Sequence, residues 1–231
     1  ILKLIDRQGV DRTTVEIDGM YAFAVWNKET ETLHLVRDPF GVKPLFVLQQ
    51  PGLIWFSSEI KPLLLAPGFE RKPSLQALHH FLSFDYIPGA HTAFEGIEEV
   101  RPGTHWQVDS KTGNIEKHSF FNTDWTIDES LTRESATAES RRLLKDAVER
   151  QLQADVEVGV MLSGGLDSSS IAALTREIRG DANFHTFSIG FDETSFNEGH
   201  HAETVAQHLG TTHHHIPVDA NVVAESEIRH I

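Results

Sequence analysis

The sequence predicts a two-domain mixed chain, α+β in its first half and α/β in its second: antiparallel strands, then the start of a doubly wound parallel sheet. Three observations predict this. Short runs rich in β-branched and aromatic residues, separated by Gly, Pro, Asn or charged turns, fill the first half. Strand and helix patterns alternate in the second half. Between them, "NTDWTIDESLTRESA" is polar, acidic and without clear periodicity. The boundaries are therefore 1–121, a linker at 122–136, and 137–231.

The strand reading begins at Met20. "MYAFAVW" (20–26), "TLHLVRD" (32–38), "PLFVLQ" (44–49) and "LIWFSS" (53–58) read as an antiparallel meander. "SEIKPLLLAPG" reads as a short helix stopped by Pro67 and Gly68. "SLQALHHFLSF" (74–84) is an amphipathic helix with Pro73 and Ser74 at its start. "DYIPGAHTAFEGIEEVRPG" carries too many turn residues for a regular element and reads as loop. "THWQVDSKTGNIEKHSFF" reads as two strands around a Gly-containing turn.

In the second half, Leu143, Leu144, Ala147, Val148 and Leu152 recur at helical spacing within 137–153. "VEVGVML" (156–162) is an almost continuous apolar run, as for a parallel strand covered on both faces. A helix at about 168–179, a strand "FHTFSIGF", a helix "HAETVAQHL" and a strand "HHHIPV" follow.

Composition excludes several functions. The formal net charge of -14 repels nucleic acid and anionic membranes, so neither is an expected partner. With no cysteine, disulfides, thiolate metal sites and a cysteine nucleophile are absent from these residues. No apolar run approaches the ~20 residues of a membrane helix, and no signal-peptide pattern opens the sequence. A cytoplasmic protein is the expectation. The first residue, Ile1, and the charged, helix-like ending "EIRHI" make a fragment cut at both ends the expectation.

The chemistry concentrates in "SGGLDSS" (163–169), between an apolar strand pattern and a helical one. In open α/β sheets, ligands sit at the carboxyl ends of strands. Gly164 and Gly165 leave their backbone open to an anion, and the N–H groups of the next helix favour one. Ser163, Ser168 and Ser169 add hydroxyl donors. Asp167 would repel a bare phosphate, but makes sense with Mg2+ between carboxylate and phosphate oxygens. No Gly-Lys-Ser/Thr follows, so the loop is not of Walker type. The alternative is a plain tight turn with Asp167 or Ser168 as helix N-cap.

"SGGLDSS" resembles the pyrophosphate-binding loop of the ATP pyrophosphatases. "TFSIGFDETSFNEGHHAETVAQHLGTTHH" resembles the next stretch of the asparagine synthetase family. "DGMYAFAVWNKETETLHLVRDPFGVKPLF" and "SSEIKPLL" look like the later part of a class II glutamine amidotransferase domain of the Ntn type. "YIPGAHTAFEGIEEVRPG" resembles bacterial-type asparagine synthetases. The resemblance covers nearly the whole chain, in order. It implies glutamine hydrolysis in the first domain, with ammonia passing through an internal channel. In the second it implies adenylation of the aspartate side chain by Mg-ATP, then attack of ammonia on β-aspartyl-AMP, releasing asparagine, AMP and pyrophosphate. The implied small molecules are aspartate, glutamine, ATP and Mg2+, with a homodimer as one option for a full-length protein.

Carried over residue by residue, the resemblance places Ser163, Gly164, Gly165, Asp167 and Ser168 on pyrophosphate, with Asp167 as metal ligand. Leu162 matches a nucleotide contact. Ile189 matches a backbone contact near adenine, with core packing expected as well. Asp18 matches the aspartate that binds the amino group of glutamine; read alone, its "DG" is a turn. Arg37 and Asp38, in "RDPFGVKPL", read as mainly architectural, with Gly41 and Pro44 shaping a turn and Arg37 pairing with a carboxylate. His213, His214 and His215 cannot easily ligate one ion, because adjacent strand residues face opposite ways. His215 stands where the family has glutamate. The family's N-terminal nucleophilic cysteine and its later synthetase residues lie outside this sequence, so no catalytic residue is assigned and neither half-reaction is expected from these 231 residues alone. Two alternatives stand beside this reading: a β-lactam synthetase-like ligase, and a non-catalytic module binding a nucleotide or a partner.

Overall fold

A computed structural model describes residues 1–180, 184–191 and 199–218. The segment "DETSFNE" of the family resemblance and the ending "EIRHI" lie outside the described residues. The chain divides into two units, Ile1–Thr126 and Ile127–Ile231.

The first unit opens with a helix ahead of the first predicted strand, α1 (Leu2–Glu16), kinked at Gly9 with φ 81. Its buried positions are Val10, Thr13 and Thr14, so its inward face is largely threonine. Both hydroxyls donate to carbonyls one turn back, those of Gly9 and Asp11, which makes their burial tolerable. A hydrophobic periodicity therefore never forms in the sequence.

The predicted strands appear as β1 (Ala22–Asn27), β2 (Thr32–Arg37), β3 (Phe46–Gln50) and β4 (Leu53–Ser57). They do not form one meander. β1 and β2 join β6 (Thr104–Asp109) and β7 (Ile115–Ser119) in a four-stranded antiparallel sheet, ordered β1-β2-β6-β7. β3 and β4 form a second sheet with β5 (Ile97–Glu99), ordered β4-β3-β5. β5 is a three-residue strand inside the stretch expected to be loop. Its cross-strand partners, Phe46–Leu48, lie some fifty residues away, so local turn chemistry concealed it.

The segment after β2 parts the two sheets. Asp38, 1% exposed, accepts backbone N–H groups from Phe40 (3.1 Å), Val42 (3.0 Å) and Lys43 (3.0 Å). Buried Arg37 donates to the carbonyls of Gly41, Lys43 and Val100 and pairs with Glu99 at 2.7 Å. The architectural reading of this signature is what the structure shows. Leu35, Leu45, Val47, Val100 and Trp106, drawn from both sheets, make one buried cluster. Alternate residues face outward to the helices. Val36 packs with Val10 of α1, and Leu48 packs with Leu63 of α2 (Ile60–Leu63). The order of layers is helix, sheet, sheet, helix. Helix α3 (Leu75–Phe84) is capped by Ser74, whose Oγ accepts from the N–H of Ala77.

The second unit begins with α4 (Arg133–Gln151), four residues before the predicted start and inside the predicted linker. Thr132 and Ser135 form a reciprocal capping box there, a Ser-for-Glu version that polarity alone does not reveal. Then come β8 (Val160–Met161), α5 (Leu166–Arg179), β9 (His185–Phe191), α6 (Gly199–Leu209) and β10 (Thr212–Val218). The three strands are parallel, ordered β10-β9-β8. Val160, Leu162, Ala172, Phe184, Ala202 and Ala206 form one core cluster under α5 and α6. Arg176 of α5 donates to the carbonyls of Leu209 and Gly210, tying down the end of α6.

Two expectations for β8 are corrected. Only Val160 and Met161 pair, since among the described residues β8 has a single neighbour and Val156 is solvent-exposed. Nor is the strand covered on both faces among the described residues. Val160 and Leu162 face the helices, while Met161 stays 62% exposed on the opposite face. The fold class itself holds: antiparallel sheets in the first unit, a parallel sheet in the second.

Candidate functional site

The loop 163–168 leaves the carboxyl end of β8. The N–H of Leu162 donates to the carbonyl of Phe187 at 2.7 Å, extending the ladder to the edge of the loop. Leu162 is 1% exposed within the core cluster. Its side chain is thus committed to packing, and any nucleotide contact there falls to its backbone.

Beyond Leu162 the chain closes on itself through small hydroxyls. The N–H of Ser163 donates to Oγ of Ser168 (3.2 Å), and the two Oγ atoms lie 3.0 Å apart. The N–H of Gly165 donates to Oγ of Ser163 at 3.3 Å. These bonds span the loop from its first residue to the first turn of α5.

The two glycines differ. Gly164 has φ +83, and a Cβ there would sit 2.5 Å from backbone atoms of His201 and Ala202 at the start of α6. That space belongs to α6, so the missing side chain of Gly164 allows close packing of loop on helix. At Gly165 a Cβ would meet only Oγ of Ser163, at 3.4 Å, and this face of the loop is open.

Gly165 is itself the N-cap of α5, and among the described residues no side chain caps the helix. The alternative reading, with Asp167 or Ser168 as N-cap, is therefore overturned. Ser168 is occupied with the loop, and Asp167 lies exposed in the first turn. Within the helix the first N–H to find a carbonyl is that of Ser169, bonded to Gly165. The opening N–H groups and the helix dipole suit an anion, and a pyrophosphate group meets donors and no competing cap. The residues thus fit a nucleotide's phosphates. For Mg2+ the loop supplies one carboxylate, Asp167, and such ions commonly take one or two carboxylates with phosphate oxygens and water. Among the described residues, no three His, Asp or Glu side chains converge as a metal-binding group.

Ile189 lies two residues beyond Phe187, the partner of Met161, so it stands at the same end of the sheet as the loop. It is 47% exposed, on the face away from the helices, and the expected core packing is not found. The triple histidine divides as strand geometry requires. His213 and His215 both bond Oγ of Ser188 (3.0 and 2.9 Å), while His214 stacks on Phe187 and bonds His185 from the other face. In the first unit, Asp18 is exposed in the connection between α1 and β1.

Comparison with known proteins adds the following. Residues 1–121 match the model of the glutamine amidotransferase domain, and residues 139–231 match that of asparagine synthase. The chain is 32% identical to asparagine synthetase [glutamine-hydrolyzing] 1 of Bacillus subtilis over 84% of its own length and 30% of that protein. It is 35% identical to asparagine synthetase [glutamine-hydrolyzing] 3 of the same organism, over 86% of this chain and 34% of that one. With the asparagine synthetase [glutamine-hydrolyzing] of Gallus gallus it shares 30% identity, over 94% of this chain and 38% of the other. The chain spans about a third of the length of these relatives.

Proposed function

Because the chain belongs to the asparagine synthase family, with a glutamine amidotransferase domain ahead of an asparagine synthase domain, we propose that it serves ATP-dependent amidation of aspartate to asparagine with glutamine-derived ammonia. The observation that carries this reading is the loop between β8 and α5, folded by its own serines and followed by a helix that, among the described residues, no side chain caps. A carboxylate is a poor electrophile, and adenylation supplies AMP as a leaving group. The open N–H groups of α5 offset charge developing on the departing pyrophosphate, with Ser163 and Gly165 shaping the pocket for it. Asp167 is the carboxylate that would hold Mg2+, which would supply positive charge to the leaving group. Leu162 and Ile189 offer backbone to the nucleoside at the ends of adjacent strands. Asp18 pairs with the amino group of glutamine in the first domain.

For these 231 residues the claim reduces to binding of Mg-pyrophosphate and Mg-ATP. Calorimetric titration of the chain with each, with and without Mg2+, tests it. Saturable binding that Mg2+ strengthens is expected, and D167N should weaken the Mg2+-dependent part roughly tenfold or more. If neither ligand binds, the assignment of this loop falls. If D167N binds both as tightly as the parent chain, Asp167 is not the metal ligand.

A further inference from the structure

Where α1 lies on the sheet, far in sequence from the loop 163–168, the exposed carboxylate of Asp11 and two imidazoles form a hydrogen-bonded chain that the proposed reaction does not use. Asp11 of α1 meets buried His105 of β6, with Oδ1 and Nδ1 2.9 Å apart. Nε2 of His105 lies 2.8 Å from Nδ1 of His34 on β2. The register pairs His34 with Gln107 and Val36 with His105, so the two histidines are diagonal neighbours on the face turned to α1.

The carboxylate sets the direction of this chain. An ionised Asp11 only accepts, so Nδ1 of His105 carries a proton and its Nε2 a lone pair. Nδ1 of His34 must then donate to that lone pair, which leaves Nε2 of His34 as an acceptor. Burial pushes both histidines below their ordinary range, against the opposing pull of Asp11, and so favours their neutral forms. The reverse arrangement would set the lone pair of His105 Nδ1 against the carboxylate.

His34 lines a cleft of about 300 Å³. Ile5, Val10 and Val25 give it apolar walls, and Asn27 and Gln107 give it neutral polar groups. Asp11 stands at the same cleft, and no lysine or arginine lines it. The lining therefore disfavours anions. A cavity of roughly 150 Å³ holds benzene, so a one-ring molecule fits.

We propose that this cleft is a second ligand site, binding a small uncharged molecule with an apolar ring and one hydrogen-bond donor, which Nε2 of His34 accepts because Asp11 and His105 hold that imidazole in its Nδ1–H form. The site is independent of the nucleotide reading, and its test uses neither ATP nor glutamine.

Long-range ¹H–¹⁵N NMR of the chain at neutral pH reads the tautomers directly, and titration with phenol and with anisole probes the cleft. His34 is expected as the Nδ1–H tautomer. Phenol should shift its Nε2 resonance saturably. Anisole, of similar shape but without the donor, should bind about fivefold more weakly or not at all. H34F should abolish the discrimination, and D11A should leave His34 a mixture of tautomers. An Nε2–H or doubly protonated His34, or equal affinity for phenol and anisole, overturns the proposal. Both measurements on the unsubstituted chain stand even if a variant fails to fold.

Discussion

At the scale of single residues, adjacent glycines carry different loads. Gly164 combines φ +83 with a backbone neighbour 2.5 Å from any added Cβ. G164A should therefore cost about 2–4 kcal/mol, while G165A should cost under about 1 kcal/mol. Urea unfolding followed by signals from α5 and α6 checks both, and equal midpoints would refute the distinction. Asp38 is the comparable residue in the first unit. Burial works to raise its carboxyl, yet the N–H groups of Lys43, Val42 and Phe40 together hold it below the usual aspartate range. A depressed carboxylate contributes stability that is complete above its unfolded-state value and is lost as pH falls through its folded-state value. D38N should accordingly lower stability at neutral pH and flatten the acid limb of the Tm–pH curve. Arg37 offers a sharper loss. R37M strands three carbonyls and Glu99, for about 3 kcal/mol or more, read as a drop in Cm.

At the scale of elements, ends decided more than interiors. α4 starts at Arg133 because Thr132 and Ser135 satisfy each other's backbone N–H groups. T132A should cost about 1 kcal/mol and should release amide-exchange protection in the first turn while leaving the last turn unchanged. Uniform loss along the helix would mean that packing, not the cap, sets its start. β8 shows the converse. Its apolar run spans seven residues, yet only two pair, because a strand's length depends on its neighbours rather than on its own hydrophobicity.

At the scale of the whole molecule, the two units are joined through a polar stretch whose residues 122–131 are all exposed. Brief proteolysis should cut there first and yield two protected pieces, and early cutting within β1–β7 would contradict this. Most of the architecture was legible in the sequence. Runs rich in β-branched and aromatic residues, bounded by turn residues, marked six of the first unit's seven strands to within a few residues, because such side chains suit a pleated, half-buried surface. "SGGLDSS" marked the loop, because only small residues with hydroxyls can close so short a turn by hydrogen bonds. Other features belong to tertiary structure alone. α1 was hidden because threonines fill its buried face. Arg37 reaches the carbonyl of Val100 across 63 positions, and the chain from Asp11 through His105 to His34 joins residues 94 and 71 positions apart. Which glycine has its Cβ position filled by a helix and which has it open depended on where α6 came to lie. By itself, the sequence determined local periodicity, turn chemistry and the small-residue loop, since these depend on neighbours in the chain. Tertiary structure decided strand partners, buried polar networks and the use of each glycine, since these depend on contacts that no local pattern encodes.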